Sequence, residues 1–270
     1  MPSTERHTDV DHAPTRQGRL RGTSACIVGV GSMVGAACLQ RFCDEGASVL
    51  AVDPSPEVAA AACDRAGDMA FSARGDLSSE VDAVAVARRC AELWGHVDAL
   101  VYCGSSMEMW PKRDDSPDRW REVIEVNVLG PYVYTLAFEA LLRRSPAGSI
   151  VYLGSIDGLR GNPHVPAYSA SKGALVPLTH TMAQRFGSDG VRVNCVAAAG
   201  VLQTGSGSGR LRRDVGDAVL AARLTPLQRM PAADEIASVV LFLASSDASY
   251  VTGAVVPVDG GRIAATPGTY

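Results

Sequence analysis

No run of apolar residues in the 270-residue chain reaches the length of a membrane span, and the first residues lack the apolar stretch of a secretory signal. Both absences lead to the expectation of a soluble, cytoplasmic protein with no membrane partner. Seven cysteines are present (Cys26, Cys38, Cys43, Cys63, Cys90, Cys103, Cys195), yet none form a Cys-x-x-Cys pair or a Cys/His metal spacing. Most lie in apolar surroundings, which fits buried free thiols in a reducing compartment better than disulfides, and no metal site is expected. Charge of one sign is not in excess either. Lys and Arg number 25 against 29 Asp and Glu, a net charge of −4, with no basic footprint for nucleic acid. No internal repeat is evident.

What is present suits one sizeable domain: 47% of residues are hydrophobic and 20% charged. Residues 1–21 are polar and without period, and are expected to form a disordered extension ahead of a domain at 22–270. From Thr23 onward short apolar runs alternate with helical stretches, the pattern of a parallel sheet covered by helices on both faces. Strands are predicted at 24–30, 47–52, 69–73, 97–103, 149–153, 191–196 and 254–258. Helices are predicted at 33–45, 56–66, 80–94, 168–186 and 232–244, with one long helix at 117–144 bent at Gly130-Pro131. The fold class is α/β, a single doubly wound Rossmann-type domain.

Tyr168 and Lys172 are four apart in a helical stretch, a spacing that stacks two side chains on one face. A phenol ordinarily titrates near ~10, too high for efficient proton transfer at neutral pH. A lysine cation beside it is expected to lower that value by roughly two units. Two residues at this spacing also occur by chance on a solvated face. The pair gains weight from Ser155, thirteen residues upstream at the end of an apolar run, and from Asn127 in Glu125-Val-Asn-Val-Leu-Gly130.

With Asn127, Ser155, Tyr168 and Lys172 in this arrangement, the sequence resembles the short-chain dehydrogenase/reductase family from about Gly22 to Gly261. The resemblance implies hydride transfer between a nicotinamide and a secondary carbon. Tyr168 would move the hydroxyl proton, Ser155 would hydrogen-bond the same oxygen, Lys172 would hold the phenolate and the nicotinamide ribose, and Asn127 would keep a water in line with Lys172. It also implies subunit contacts through the helices carrying Asn127 and Tyr168, hence a homotetramer or homodimer.

Gly29-Val-Gly31-Ser32-Met33-Val34-Gly35 lies between the first strand and first helix, where glycines let a backbone turn tightly against a pyrophosphate at a helix N-terminus. It resembles the family's TGxxxGxG, with Val28 in place of Thr and Met33 in place of the middle Gly. Asp53 ends the second strand, where a carboxylate accepts from the adenosine ribose and repels a 2′-phosphate. Ser32 stands where many NADP-using relatives carry a base. NAD is therefore expected over NADP, although Asp53 could simply cap the turn before Pro54. Asp76-Leu77 resembles the family's adenine-pocket pair, and could equally be a loop capping the next helix. Leu100-Val-Tyr102-Cys103-Gly104-Ser105 departs from the family's LVNNAG, with Cys103 expected to be a packed thiol beside the cofactor.

Downstream, Leu202 and Thr204 match the family's carboxamide and diphosphate contacts, and a substrate lid is expected at about 203–231, where Gly-rich sequence allows closure. Met107, Met109, Trp110 and the stretch 156–164 are expected near the reacting carbon and suit an apolar or cyclic alcohol or ketone; they would serve equally well as core. Three functions follow: an NAD-dependent secondary-alcohol dehydrogenase, an NADPH-dependent 3-oxoacyl or polyketide carbonyl reductase, or a silent dinucleotide-binding scaffold.

Overall fold

A computed structural model describes residues 18–108, 114–201 and 225–264. Seven parallel strands form one sheet in the order β3-β2-β1-β4-β5-β6-β7: β1 Ser24–Val28, β2 Ser48–Asp53, β3 Ala70–Arg74, β4 Ala99–Tyr102, β5 Ser149–Ser155, β6 Arg192–Ala198 and β7 Val255–Val258. The helices are α1 Met33–Asp44, α2 Pro56–Ala66, α3 Glu80–Trp94, α4 Pro117–Ile124, α5 Gly130–Arg143, α6 Asp157–Arg160, α7 Pro166–Gly187 and α8 Ala233–Ala244.

Both faces of the sheet are covered, so the central strands read as nearly unbroken apolar runs. Strand alternation divides them between two cores. Ala25, Ile27, Val49 and Ala51 face α1, α2 and α8. Cys26, Val28, Leu50, Val52, Leu100 and Tyr102 face α3, α5 and α7. All seven cysteines are free, and all but Cys43 are buried, with Cys26 paired to Cys90 and Cys38 to Cys103 through their side chains.

Helix starts follow local chemistry. Ser32, Ser55, Ser79 and Ser116 each accept an N–H from the third residue of α1, α2, α3 and α4, and α2 and α4 also begin on proline. These caps satisfy donors that would otherwise lack a partner.

Two expectations change. Gly18–Arg21 form a turn docked on the domain: Leu20 is buried, and the Gly18 and Arg19 amides donate to Glu45, which also pairs with the Arg19 guanidinium. The ordered body therefore starts before residue 22. The segment predicted as one helix at 117–144 is divided by a π-turn at Glu125–Leu129, where the Gly130 amide reaches back to the Glu125 carbonyl. Pro131 acts four residues back, where its missing N–H and its ring fall on the Asn127 carbonyl, at the middle of the π-turn.

Candidate active site

Three of the expected catalytic side chains meet at the carboxyl ends of β4 and β5. Ser155 is the last residue of β5, where its Oγ accepts the Asp157 amide at 3.1 Å, leaving the hydroxyl proton free to point elsewhere. Tyr168 and Lys172 share one face of α7, with the Lys172 Nζ 5.7 Å from the centre of the phenol ring. The hydroxyls of Ser155 and Ser105 both hydrogen-bond the Tyr168 side chain and favour its ionised form. Ser105 was not singled out by sequence reasoning; its signal was the departure from glycine at the end of LVNNAG.

The electrostatics reverse the sequence expectation for the phenol. Enclosure by protein pushes Tyr168 up to about 12, outweighing the two serine hydroxyls, and Asp157 and Glu108 add to the rise. Lys172 is itself buried and pushed down to about 8. Its ammonium donates to the Leu153 carbonyl at 2.8 Å and not to the phenol. By the pH at which the phenol ionises, the lysine has already given up its charge, so the expected lowering by two units does not occur.

Asn127 sits in the π-turn, fully buried. Its amide donates to the Ser106 carbonyl at 2.8 Å and to Ser171 Oγ at 2.9 Å, and its Oδ1 accepts the Ser106 amide at 2.8 Å. π-Turns recur at functional sites, and this one clamps the loop after β4 to α7. Glu108, in the same loop, is another residue missed from sequence. It is buried, and its carboxylate accepts the Ala167 and Tyr168 amides.

The expected dinucleotide residues gather where the strand order reverses, at the ends of β1 and β4, the crevice in which open α/β sheets bind ligands. Gly29 has φ +86°, and a Cβ there would stand 2.5 Å from the Gly104 amide nitrogen. A Cβ on Gly35 would collide with the Gly29 carbonyl oxygen. Ser32 is locked as the cap of α1, donating to Gly29 and accepting from Gly35. Met33, at the first position of α1, turns its side chain outward and is 43% exposed, whereas Val34 is buried. The first turn of α1 carries no acid. This is a tight turn feeding an uncompensated positive helix end, which fits a diphosphate.

Asp53 Oδ2 accepts the Gly31 amide at 2.8 Å and Oδ1 the Ser55 amide at 3.2 Å. The capping role and the ribose role are compatible, since each carboxylate oxygen keeps a second lone pair. Asp76 Oδ1 holds the turn into α3 through the Ser78 and Ser79 amides, which keep its carboxyl below the usual range. Cys103 is buried against Cys38. Leu202, Thr204, Met109, Trp110 and the lid segment 203–224 lie outside the described residues. His164 is exposed.

Tyr102 accounts for its own departure from the family's asparagine. Its hydroxyl lies 2.8 Å from the Leu77 carbonyl and 2.7 Å from the Val126 carbonyl, tying the turn before α3 to the π-turn. Gly130 makes room, since a Cβ there would overlap the Tyr102 hydroxyl. Tyr102→Phe removes the one hydroxyl proton that these two part-buried carbonyls share and is expected to cost about 0.5–1.5 kcal/mol. Thermal unfolding checks this, and an unchanged midpoint would refute the bridging role.

Among the described residues no helix is long and apolar enough to cross a membrane, and no group of three or more His, Cys, Asp or Glu could hold a metal ion. A family model described as enoyl-(acyl carrier protein) reductase matches residues 29–262. The chain is 34% identical over 251 residues to 2-(S)-hydroxypropyl-CoM dehydrogenase 3 of Xanthobacter autotrophicus, covering 91% of this chain and 98% of that one. It is 36% identical over 246 residues to cis-4-hydroxycyclohexanecarboxylate dehydrogenase of Sinomonas cyclohexanicum, covering 89% and 96%. A crystal structure described as ribose-5-phosphate isomerase from Brucella melitensis 16M superposes with a TM-score of 0.82 at 31% identity, covering 92% and 94%.

Proposed function

The chain belongs to the short-chain dehydrogenase/reductase family, and from that premise we propose that it interconverts a secondary alcohol and a ketone with NAD(H), on an apolar or cyclic substrate. The observation that carries the reading is the convergence of Ser155, Tyr168 and Lys172 beside a glycine turn shaped for a dinucleotide. The names of the two relatives above support the substrate class, since both describe a dehydrogenase of a hydroxylated carbon, one of them on a ring.

When bound, the nicotinamide supplies the hydride acceptor or donor. Gly29, Gly31, Ser32, Met33, Val34 and Gly35 would line the diphosphate, with Asp53 on the adenosine ribose. The chain's own residues do the rest. Tyr168, protonated at neutral pH, gives a proton to the substrate oxygen in reduction and takes it back in oxidation. Ser155 and Ser105 direct hydroxyls toward the same oxygen, where a fixed donor stabilises developing charge. Lys172 places a cation beneath the phenol. Asn127 holds the loop that carries Ser105 against α7. A carboxylate at Asp53, held by the Gly31 and Ser55 amides, disfavours a 2′-phosphate, and Arg74 beside it on β3 is directed to Asp82 at 3.7 Å, which weighs against the NADPH-dependent acyl reductase.

The test is turnover of a panel of cyclic and linear secondary alcohols and ketones with each cofactor. NAD(H) is expected to be preferred by roughly tenfold or more in kcat/KM, the cost of setting a second negative charge against Asp53. A preference for NADPH would overturn the cofactor assignment, and binding of dinucleotide without any turnover would favour the silent scaffold.

A further inference from the structure

We propose that Glu108 is a positioning residue for Tyr168, capping the catalytic helix from sixty residues away and fixing where the phenol stands. This rests on the reading of Tyr168 as the proton-transfer group.

The first turn of α7 can be accounted for donor by donor. Its N-cap, Val165, has no side-chain acceptor. The Val165 amide donates to the Asn162 carbonyl, Pro166 has no N–H, and the Ser169 amide begins the helical ladder on the Val165 carbonyl. Two orphan donors remain, the amides of Ala167 and Tyr168. Glu108 takes both, Oε1 at 2.8 Å and Oε2 at 3.0 Å. One of them belongs to the catalytic residue itself.

Four other helices of this chain are capped by a local serine. Here the cap is a carboxylate that is only 1% exposed. Burying a charge is costly unless it is paired, and two backbone donors at the positive end of a 22-residue helix offset that cost. The loop that delivers it is anchored in turn. Asn127 brackets Ser106 through both its amide and its carbonyl, and the Arg119 guanidinium of α4 donates to the Met107 carbonyl at 2.6 Å. The same loop presents Ser105 to the phenol. Movement of Glu108 would therefore shift the phenol and its second hydroxyl relative to one another.

Glu108 also acts through its charge. The charged groups facing Tyr168 are Lys172 on α7, Asp157 at the start of α6 and Glu108 on the loop after β4; the last two both favour the protonated phenol. Removing the carboxylate takes away one of these two charges, which favours phenolate.

The test compares wild type with Glu108→Gln by two readouts. The first is the ultraviolet tyrosinate titration, each protein measured against the same background carrying Tyr168→Phe, so that only Tyr168 is read and no substrate is needed. The second is the pH profile of kcat for alcohol oxidation. In Glu108→Gln, Tyr168 is expected to ionise at a measurably lower pH. The rising limb of the profile should move acid by the same amount, and the plateau kcat should fall about tenfold or more from misplacement, with KM for the dinucleotide unmoved. Glu108→Asp keeps the charge and is expected to keep the wild-type ionisation while losing kcat. If Glu108→Gln fails to fold, Val165→Ser is added to give α7 a local cap. Full recovery of both kcat and the wild-type ionisation in that double variant would show a merely structural cap and overturn the proposal. So would an unmoved Tyr168 titration in a folded Glu108→Gln. A shifted titration together with an active Tyr168→Phe would instead remove the catalytic reading on which this one stands.

Discussion

Tyr168→Phe is expected to lower kcat/KM by roughly 10²–10⁴-fold, the range contributed by a positioned acid–base group, while leaving the fold and dinucleotide binding in place. The hydroxyl is the only atom lost. It has polar partners in Ser155 and Ser105, and both can turn to a water or to one another, so stability should change by about 1 kcal/mol or less. Binding of NADH, read by its fluorescence, should stay within a few-fold of wild type. Retained turnover would remove the mechanism altogether. The wild-type enzyme carries a second signature. With the phenol pushed up to about 12, the proton donor is fully populated near neutrality and the proton acceptor is scarce. Ketone reduction should therefore run well at neutral pH, and alcohol oxidation should climb as pH rises toward about 8, where Lys172 begins to give up its charge. An oxidation rate that is flat below that value would mean that Tyr168 does not accept the proton.

The parts of this site that were legible in the sequence share a cause. Tyr168 and Lys172 are held by helical spacing, and Gly29 and Gly35 by a strand-turn-helix whose sterics admit nothing larger. In each case the geometry is local, so residues a few positions apart carry it. The sheet was legible for a similar reason: the central strands, buried on both faces, are largely apolar, and serine caps mark the starts of four helices. What escaped depends on distant partners. Glu108 meets Tyr168 across sixty residues, and its neighbours in sequence give no sign that a helix end will arrive beside it. The π-turn around Asn127 lies four residues before Pro131, where a helical proline acts, but the three hydrogen bonds it lets Asn127 make to Ser106 and Ser171 depend on distant loops. Tyr102 looked like damage to the family pattern until its hydroxyl was found spanning two carbonyls. The sign of the Tyr168 shift was misjudged because a neighbouring cation can be read from spacing and enclosure by protein cannot.

Lys172→Met should separate activity from stability. Lys172 is 3% exposed, and its depression from 10.5 to about 8 corresponds to a penalty on the order of 3 kcal/mol for holding the cation inside. The sign follows from proton counts. Between about 8 and 10.5 the unfolded chain binds the proton and the folded chain does not, so this residue makes stability rise with pH across that window, and its penalty is fully present below it. Methionine fills a similar volume without a charge. It loses the bond to the Leu153 carbonyl, a charged hydrogen bond of about 1.5–3 kcal/mol, so at neutral pH the variant should unfold at the same temperature as wild type or higher. Activity should move the other way, falling on the order of 10²–10³-fold in kcat, as when a fixed charge-stabilising donor is removed. In wild type the cation is present below about 8 and lost above it, so ketone reduction should decline as pH passes that value, and the decline should vanish in Lys172→Met. Thermal unfolding and the reduction profile check the two halves independently. A variant that loses stability without losing activity would make Lys172 a packing residue, because a buried cation that contributes nothing to proton transfer has no reason to be held at that cost.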